Sequence, residues 1–430
     1  MPSLTRHDAL TRRDALTRRD VLCLVGLGAG TVLAGCIEAP NGEGSTPSPT
    51  PSSTPTPTST PGPGDPEPPE TIESEWPAPA HDPGLSSHAD ATGPDGPVGP
   101  LWEVDLGDEP TSPVVSGAAN SGIAGSGAAA FVGAGESVVS VDARTGEKRW
   151  TEEFEEAVRS VWAVTENLHV VGERTLYGLD PETGDRRWVV DTDPVADAVV
   201  TDRGAYILET GADESPAIAR IADEGVEWTT ELDYGELSWG WLLGADDAVL
   251  VAAHDGNVVT WWVIDAESGD VEDRSGDVTH IPLPVAHRDG ATYVLESFYA
   301  SLRRFALDDE AIETWSFQFE DAHGGAWPIA VSPDALYTHT THGEESGLHT
   351  IDAETGGLTW TQDGIEEIEA LVSTEGSVLA HDGETLRGFD PGDGTERWQS
   401  KVPAADGGLC VVDDLVIVAG EDGLAGYRSA

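Results

Sequence analysis

The sequence has very few positively charged side chains. Only two of its 430 residues are lysines, and 79 Asp and Glu stand against 22 Lys and Arg, which gives a formal net charge of −57. Binding to nucleic acid needs clustered Lys and Arg that replace the counterions of the phosphates. The composition therefore excludes nucleic acid as a partner.

An acidic surface of this kind repels itself strongly in dilute salt. At about 1 M salt the Debye length falls to roughly 3 Å, and most of that repulsion is screened. The acid excess therefore indicates a protein adapted to molar salt. Calcium storage and an acidic recognition surface are the alternative interpretations.

Cysteine is also scarce, and it occurs only at Cys23, Cys36 and Cys410. The first two belong to an N-terminal leader, so the mature folded part cannot form an internal disulfide unless Cys36 remains free of lipid. Cys410 lies in the apolar run 409–412, where cysteine behaves as a small core side chain. We expect Cys410 to be buried rather than to act as a reactive thiol.

The first 36 residues have the pattern of an export signal. Arg18 and Arg19 precede an apolar run of about 15 residues, which is too short to cross ~30 Å of hydrocarbon comfortably. The run ends at residues 33–36 in a small-residue cleavage motif. The leader resembles a twin-arginine signal with a lipobox. This resemblance implies that Cys36 is lipidated at the outer face of the cytoplasmic membrane; cleavage without lipidation and an uncleaved anchor are the alternatives.

Residues 37–75 contain almost no apolar side chains and are rich in Ser, Thr and Pro. Such a segment cannot bury enough surface to compensate for its ordering entropy. Its prolines favour an extended polyproline II chain of about 3.1 Å per residue. We predict a stalk, open to O-glycosylation, that holds a folded domain at residues 76–430 away from the membrane.

The folded part repeats one phrase: an apolar strand that ends in Asp, a tight turn with Gly, and a Trp on the outgoing strand. The Asp-equivalent positions lie 38 to 46 residues apart, which is long enough for four short strands. Asp closes the turn with its carboxylate, and Gly takes the position with φ > 0. The residues of these phrases are Asp142, Gly146, Trp150, Asp180, Gly184, Trp188, Trp228, Asp265, Gly269, Trp315, Asp352, Gly356, Trp360, Asp390, Gly394 and Trp398.

Seven phrases lie inside the sequence, and its two ends supply an eighth. Residues 423–427 form the strand half, and Trp102 belongs to the Trp half. Joined, the two halves complete one repeat and close a ring without an open sheet edge. We predict an all-β fold, an eight-bladed β-propeller of four-stranded antiparallel blades, in which each Trp packs on a neighbouring blade. Seven blades is the alternative, because the fifth phrase has lost its Asp and Gly.

The phrase resembles the tryptophan-docking repeat of the quinoprotein-type (PQQ-like) β-propeller family. Trp76-Pro77 and residues 81–83 resemble the segment that opens such domains. The resemblance covers residue 76 to the end and includes the BamB-like lipoprotein branch, here in a form of haloarchaeal type. It implies either PQQ-dependent oxidation of alcohols or sugars, or non-catalytic binding and scaffolding.

The sequence departs from the oxidising enzymes of this family. Many of them carry an adjacent Cys-Cys disulfide, which is missing here, and the intervals between phrases leave little room for inserts. No set of Glu, Asn and Asp maps onto the calcium site of the family. We therefore expect no catalytic residue, metal or cofactor. PQQ with calcium is expected only under the alternative function, a small PQQ-dependent dehydrogenase.

Histidines and tryptophans outside the phrases have second interpretations. His339 and His342, with His323 upstream, form a metal pair only if a turn brings them together, since residues three apart on a strand point to opposite faces. Solvated turn histidines are the simpler interpretation.

Two interpretations apply to Trp239, Trp241, Trp261 and Trp262: an aromatic platform for a sugar or peptide, or packing between blades. The acidic stretch 366–369 is interpreted as a solvated face.

The sequence thus predicts a non-catalytic cell-surface lipoprotein that acts as a binding or scaffold module. Its expected partners are envelope or extracellular proteins, with glycans as a further class, and it is expected to be a monomer. A glycan- or peptide-binding sensor is the second alternative. The fold alone does not decide among these functions.

Overall fold

The computed structural model describes residues 66–116, 127–210, 215–222, 225–235, 237–254, 259–274, 282–296, 301–306, 312–319, 326–340, 346–365, 367–421 and 423–429. Arg18, Arg19 and Cys36, with most of the predicted stalk, lie outside these residues. The described chain is all β. It contains no helix of the length and apolarity needed to cross a membrane.

The strands form eight blades, which we number in chain order. Two strands precede the first blade: β1 His88–Ala89 and β2 Val98–Val104. Blades 1 and 2 are β3 Val114–Ser116, β4 Ala129–Ala134, β5 Ser137–Asp142 and β6 Lys148–Glu153, then β7 Ser160–Trp162, β8 Leu168–Val171, β9 Thr175–Leu179 and β10 Arg186–Asp191. Blades 3 and 4 are β11 Val195–Thr201, β12 Gly204–Thr210, β13 Pro216–Ala222 and β14 Gly225–Glu231, then β15 Trp239–Ala245, β16 Ala248–His254, β17 Val259–Asp265 and β18 Val271–Arg274.

The second half of the chain repeats this order. Blades 5 and 6 are β19 Pro282–Arg288, β20 Ala291–Glu296, β21 Ser301–Ala306 and β22 Ile312–Gln318, then β23 Ala326–Val331, β24 Ala335–Thr340, β25 Gly347–Asp352 and β26 Leu358–Asp363. Blade 7 is β27 Ala370–Thr374, β28 Val378–His381, β29 Thr385–Phe389 and β30 Glu396–Lys401. Blade 8 combines β2 with β31 Gly408–Val412, β32 Leu415–Gly420 and β33 Gly423–Ser429.

Each blade contains a four-stranded antiparallel sheet. The four strands follow one another in the chain in blades 1 to 7, whereas in blade 8 the fourth strand is β2. First strands of neighbouring blades contact each other around the ring, so these strands line the axis and the fourth strands form the outer edge. Turns between strands one and two, and between strands three and four, therefore lie on one face, which we call the phrase face. The remaining connections lie on the opposite face.

The N terminus closes the ring as predicted. Strand β2 pairs antiparallel with β33, with Val98 opposite Ser429 and Trp102 opposite Gly426. Blade 5 is complete, although its phrase has lost the Asp and Gly. The prediction of eight four-stranded blades is confirmed, and the seven-blade alternative is wrong.

Burial follows the position of a strand within its blade. Every residue of β4 and β32 is buried, because the second strand is covered by neighbouring blades on both of its faces. Outer strands such as β6 alternate between exposed and half-buried residues. Cys410 in β31 is fully buried, as predicted, and this burial raises the pKa of its thiol.

Candidate functional site

In each complete phrase the chain forms a turn on the phrase face, and the Asp carboxylate stabilises this turn. The carboxylates of Asp142, Asp180, Asp265, Asp352 and Asp390 accept hydrogen bonds from backbone N–H groups two or three residues ahead, at 2.6–3.2 Å. Hydrogen bonds of this kind favour the charged carboxylate. They hold the pKa of Asp265 and Asp390 below the ordinary aspartate value. The pKa of Asp352 is lowered first by the hydrogen bond from the Thr355 hydroxyl and then by that from the Thr355 backbone N–H.

An Arg that precedes the Trp adds an ion pair to three of these turns. Arg149 lies 2.7 Å from the Asp142 carboxylate, and Arg187 lies 2.8 Å from that of Asp180. Arg397 pairs with Asp390 in the same way. The pairs are partly exposed, so each contributes at most about 1 kcal/mol. The Arg-Trp dipeptide in these phrases was the sequence signal for this pair, and sequence reasoning missed it.

The tryptophan rings lie on the glycine turn of the next blade. A Cβ added to Gly146 would lie 2.8 Å from the ring of Trp102. The same contact joins Trp150 to Gly184, Trp228 to Gly269, Trp315 to Gly356, and Trp360 to Gly394. In four of these contacts the indole N–H also donates to a backbone carbonyl of the turn at 3.0–3.1 Å. Each ring thus joins two blades at a position where only glycine leaves room.

Replacing Gly394 by alanine is expected to destabilise the ring by about 3 kcal/mol, since left-handed strain and overpacking each cost about 1–3 kcal/mol. Gly394 has φ +73°, and its added Cβ would lie 2.5 Å from the Trp360 ring. The matched control is Gly225→Ala in the degraded third phrase, where a Cβ meets nothing within 4 Å. Urea unfolding in molar salt measures both. Equal midpoints for the two variants would contradict this role of the glycine.

Blade 4 replaces its docking Trp by Asp273, and other aromatic side chains fill the interface. Trp261 of β17 meets Phe305 of β21 edge to face, with ring centroids 6.1 Å apart. The interface between blades 4 and 5 is therefore apolar without the repeated phrase.

In blades 2 and 7, Trp188 and Trp398 pack closely on the glycine that faces them across their own sheet.

Residues 72–94, which we name the circling segment, run around the inside of the ring on the phrase face. Strand β1 belongs to this segment and pairs in parallel with β27, with His88 opposite Ser373. The other edge of β27 pairs with β28 of the same blade. Because β27 is the first strand of its blade, β1 lies on the axis side of it.

Backbone hydrogen bonds hold the circling segment to seven of the eight blades. At its start, the N–H groups of Glu73 and Ser74 donate to the Asp413 carboxylate of blade 8 at 2.8 and 3.1 Å. The next contacts in order are Trp76 with Val115 of blade 1, Pro77 with Ala163 of blade 2, Pro83 with Gly244 of blade 4, Gly84 with His287 of blade 5, Ser86 with Val331 of blade 6, and Ser87 with Ser373 of blade 7. Gly93 then donates to the Asp413 carbonyl at 3.0 Å, so the circuit ends at blade 8, where it began.

Side chains stabilise the bends of the circling segment. His81, Leu85 and Ser87 have positive φ values between 51° and 77°, a conformation that costs a non-glycine residue about 1–3 kcal/mol. The Asp82 carboxylate accepts hydrogen bonds from the backbone N–H and the hydroxyl of Ser86. Burial by itself raises the pKa of Asp82. The hydrogen bonds from His81 and Ser86 lower this pKa by more than burial raises it, so it lies below the ordinary aspartate value.

An ionic cluster around Arg288 ties the circling segment to blade 5. The Arg288 guanidinium lies 3.1 Å from the Asp90 carboxylate, 3.9 Å from that of Asp82 and 3.5 Å from that of Asp289. Burial, together with the charge of Arg288, lowers the pKa of His88 to about 4. Removing one partner of such a half-buried cluster leaves another charge uncompensated.

The circling segment covers the phrase-face end of the axis. Ile72, Trp76 and Ala89 belong to one hydrophobic cluster of the ring, while Ala78 and Leu85 belong to another. The segment is therefore part of the hydrophobic core at the phrase-face end of the ring. Sequence reasoning recognised its opening residues by resemblance but did not predict its path.

The predicted histidine pair is only partly within the described chain. His339 is buried and its Nε2 lies 3.0 Å from the Ile365 carbonyl, while His323 and His342 lie outside the described residues. Within the described ranges, no three His, Cys, Asp or Glu side chains are placed to hold a metal ion.

The four tryptophans predicted as a possible aromatic platform, Trp239, Trp241, Trp261 and Trp262, do not form one exposed surface. Trp241, Trp261 and Trp262 are buried in the core. Trp239 is half-buried and stacks on His254, with ring centroids 4.9 Å apart and an interplanar angle of 17°. Packing between blades therefore accounts for three of the four. In the acidic stretch, Glu367 is exposed, and Glu366 lies outside the described residues.

Stability is expected to fall between pH 6.5 and 4 because of His169 in β8. The side chain is 5% exposed, and burial lowers its pKa from 6.5 to about 4. The unfolded chain binds this proton below about pH 6.5 and the folded chain only below about 4, so about 3 kcal/mol is lost across that window. Urea midpoints at constant molar salt measure the loss. His169→Gln should flatten the slope, and an unchanged slope in that variant would contradict the assignment.

Comparisons with known proteins agree with this architecture. The family model described as outer membrane protein assembly factor BamB matches residues 99–219 and 305–429, more than half of the chain. The chain belongs to this family. The interval 220–304 between the two matches of this BamB-like ring contains the last strand of blade 3, all of blade 4, whose docking Trp is replaced, and most of blade 5.

Solved structures show the same fold at low identity. They include a europium-containing methanol dehydrogenase, at 11% identity and TM-score 0.58, covering 83% of this chain and 98% of that chain. The computationally designed Ika8 protein is 14% identical with TM-score 0.57, covering 71% and 95% of the two chains. Sqt1 from Saccharomyces cerevisiae is 10% identical with TM-score 0.56, covering 70% and 93%. No curated protein sequence gives a significant match. At these identities the structures show the fold alone.

Proposed function

We propose that this BamB-like propeller is a non-catalytic lipoprotein of the cell surface that binds an envelope or extracellular protein with its opposite face. The observation that carries this proposal is the position of the N-terminal junction. The Glu67 carbonyl accepts a hydrogen bond from Arg428 at 2.6 Å, and the Pro69 carbonyl accepts one from Arg144 at 2.8 Å. Arg144 lies in the phrase turn of blade 1, so the chain reaches the ring on the phrase face.

A stalk that reaches the ring on the phrase face leaves the opposite face free of the attachment. In our proposal, lipidated Cys36 anchors the stalk. The phrase-face end of the axis is covered by the circling segment, and the connections of the opposite face are left for recognition. Binding residues lie disproportionately on such loops, which a rigid scaffold positions. Trp239 begins β15 at this face, and half-buried aromatic rings are frequent anchors of protein interfaces.

Crosslinking in intact envelopes tests the proposal. A photoreactive amino acid replaces Glu384 on the opposite face or, as matched control, Glu182 in a phrase turn; both side chains are exposed. We expect a discrete protein adduct from position 384 and none from position 182. Equal adducts from the two faces would refute binding by the opposite face. Cys36→Ser should release the protein from the membrane fraction.

A second experiment separates binding from catalysis. The purified protein is titrated with PQQ and calcium in molar salt, and dye-linked oxidation of alcohols and sugars is recorded. We expect no saturable quinone binding and no turnover. Saturable binding with turnover would overturn the non-catalytic proposal in favour of a small dehydrogenase.

A further inference from the structure

Blades 3 and 5 share a set of three side chains, in which a Tyr and an Arg that are not part of the repeated phrase lie beside the phrase Trp. Tyr206 lies opposite Arg220 across β12 and β13, and Arg220 lies opposite Trp228. In blade 5 the corresponding set is Tyr293, Arg304 and Trp315. The Tyr and Trp ring centroids are 5.9 Å apart in blade 3 and 6.1 Å apart in blade 5. The two sets therefore have the same geometry.

In blade 3 the tyrosine and the arginine of this set bond to the protein itself, whereas the buried Trp228 indole N–H has no partner among the described residues. The Tyr206 hydroxyl donates to the carbonyl of Ala266, in the phrase turn of blade 4, at 3.0 Å. Arg220 donates from Nη2 and Nε to the Arg203 carbonyl at 2.7 and 3.2 Å. Its Nη1 also lies 3.0 Å from the Glu227 carboxylate. The Tyr206 and Arg220 donors at the interface between blades 3 and 4 are thus used within the protein.

In blade 5 the same side chains have fewer acceptors. Ala353, which corresponds to Ala266, accepts its hydrogen bond from the indole of Trp315 at 3.0 Å rather than from the tyrosine. Arg304 donates from Nη1 to the Thr314 hydroxyl at 3.0 Å and also contacts the Tyr293 hydroxyl. Its buried Nε has no hydrogen-bond partner among the described residues. Blade 5 therefore presents donors that blade 3 uses internally.

These donors face a groove between blades 5 and 6. The groove is small, with a volume of about 80 Å³, and its lining includes Arg288, Tyr293, Arg304, Ser332, Ala353 and Glu354. This volume is well below the roughly 300–1,000 Å³ of sites that enclose a whole small molecule, so the groove takes a carboxylate group and leaves the rest of the ligand outside. Arg288 is engaged with the acidic side chains of the ionic cluster. Within the described chain, Arg304 has no carboxylate partner at ion-pair distance, which leaves it as the cation of the groove.

We propose that this groove binds the carboxylate of a small acidic ligand, with Arg304 as its main contact and the Tyr293 hydroxyl as a second donor. The planar guanidinium donates two parallel hydrogen bonds to a carboxylate. Tyr293 is 3% exposed, and burial raises the pKa of its hydroxyl, so it remains a donor at neutral pH. Asp289 and Glu354 at the groove disfavour a second negative charge, so a monocarboxylate fits better than a phosphate.

Calorimetric titration of the full chain in molar potassium chloride tests the proposal. Glucuronate represents a sugar acid, and N-acetylalanine represents a peptide C terminus; glucose and N-acetylalanine amide are the uncharged controls. We expect saturable binding of at least one carboxylate, which also identifies the source, and none of its uncharged counterpart. Equal binding of the uncharged compound, or no saturable binding of either acid, would overturn the proposal.

Two neighbouring arginines give matched variants of equal charge. Arg304→Gln should weaken the binding at least tenfold. Arg303→Gln should leave it unchanged, since adjacent strand residues point to opposite faces and Arg303 pairs with Glu313 at 3.1 Å. Tyr293→Phe keeps the ring contact and should weaken binding severalfold, which guards against a folding defect in the Arg304 variant. Equal affinities of the Arg303 and Arg304 variants would refute the site.

Discussion

Replacing Trp76 by alanine is expected to destabilise the folded ring by about 3–5 kcal/mol, the usual cost of emptying a buried tryptophan site. Trp76 is 1% exposed and meets His81 edge to face at 5.0 Å. Its backbone exchanges two hydrogen bonds with Val115 of blade 1. The cavity would therefore form where the circling segment enters the ring. Urea unfolding in molar salt, followed by circular dichroism, measures the effect.

A second tryptophan provides the control for this prediction. Trp239 is half-buried on the opposite face and belongs to no part of the circling segment. Trp239→Ala should cost only about 1 kcal/mol, the centre of the distribution for point mutations. A loss below that value for Trp76→Ala, or equal losses in the two variants, would show that the circling segment is not part of the cooperative core.

Transfer from molar salt to about 50 mM salt is expected to unfold the ring, because the Debye length rises above 10 Å and the acidic side chains repel one another. Only 22 basic side chains offset the 79 acidic ones, which leaves a net charge of −57. Sodium and potassium chloride should give the same midpoint if screening is the cause. Circular dichroism during dialysis records the transition.

Two outcomes would change the interpretation of the acid excess. A protein that stays folded after dialysis is not dependent on salt. If millimolar calcium alone restored the fold at low ionic strength, specific calcium binding would explain the acidic side chains better than screening.

The number and order of the blades were predictable because each phrase repeats the same physical solution. A strand-ending Asp, a glycine with positive φ and a large ring recur at intervals of 38 to 46 residues, so even degraded copies can be placed by spacing. The join between β2 and β33 followed from two half-phrases at the ends of the chain. The Trp-to-Gly contact between neighbouring blades is a local consequence of that repeat.

The path of the circling segment was not predictable, because its contacts use backbone groups. Carbonyls of residues such as Pro77, Pro83 and Gly84 accept hydrogen bonds from six different blades, and the Gly93 N–H donates to a seventh. No side-chain pattern encodes these partners. The groove between blades 5 and 6 was missed for a related reason. Arg304 and Arg220 are alike in sequence context, and only the acceptors on the adjacent blade distinguish them.

Blade 4 shows how the fold tolerates loss of the phrase. Asp273 stands where other blades have Trp, and Trp261 supplies the missing area from the neighbouring strand by contacting Phe305. Apolar area of similar size is sufficient for the interface, since cores accept rearranged hydrophobic residues when the total volume is kept. The diverged part of the ring is thus held by packing rather than by the repeat.

Hydrogen exchange of the full chain tests most directly whether the circling segment covers one end of the ring. Mass spectrometry of peptides from residues 72–94 should show protection comparable to that of β4, because their backbone groups are bonded inside the ring. The amides of Ala163, Gly244, His287 and Val331, which donate to the segment, should be protected to the same degree. Exchange of residues 72–94 within seconds, beside protected blade strands, would contradict the account. It would mean that both ends of the axis are open.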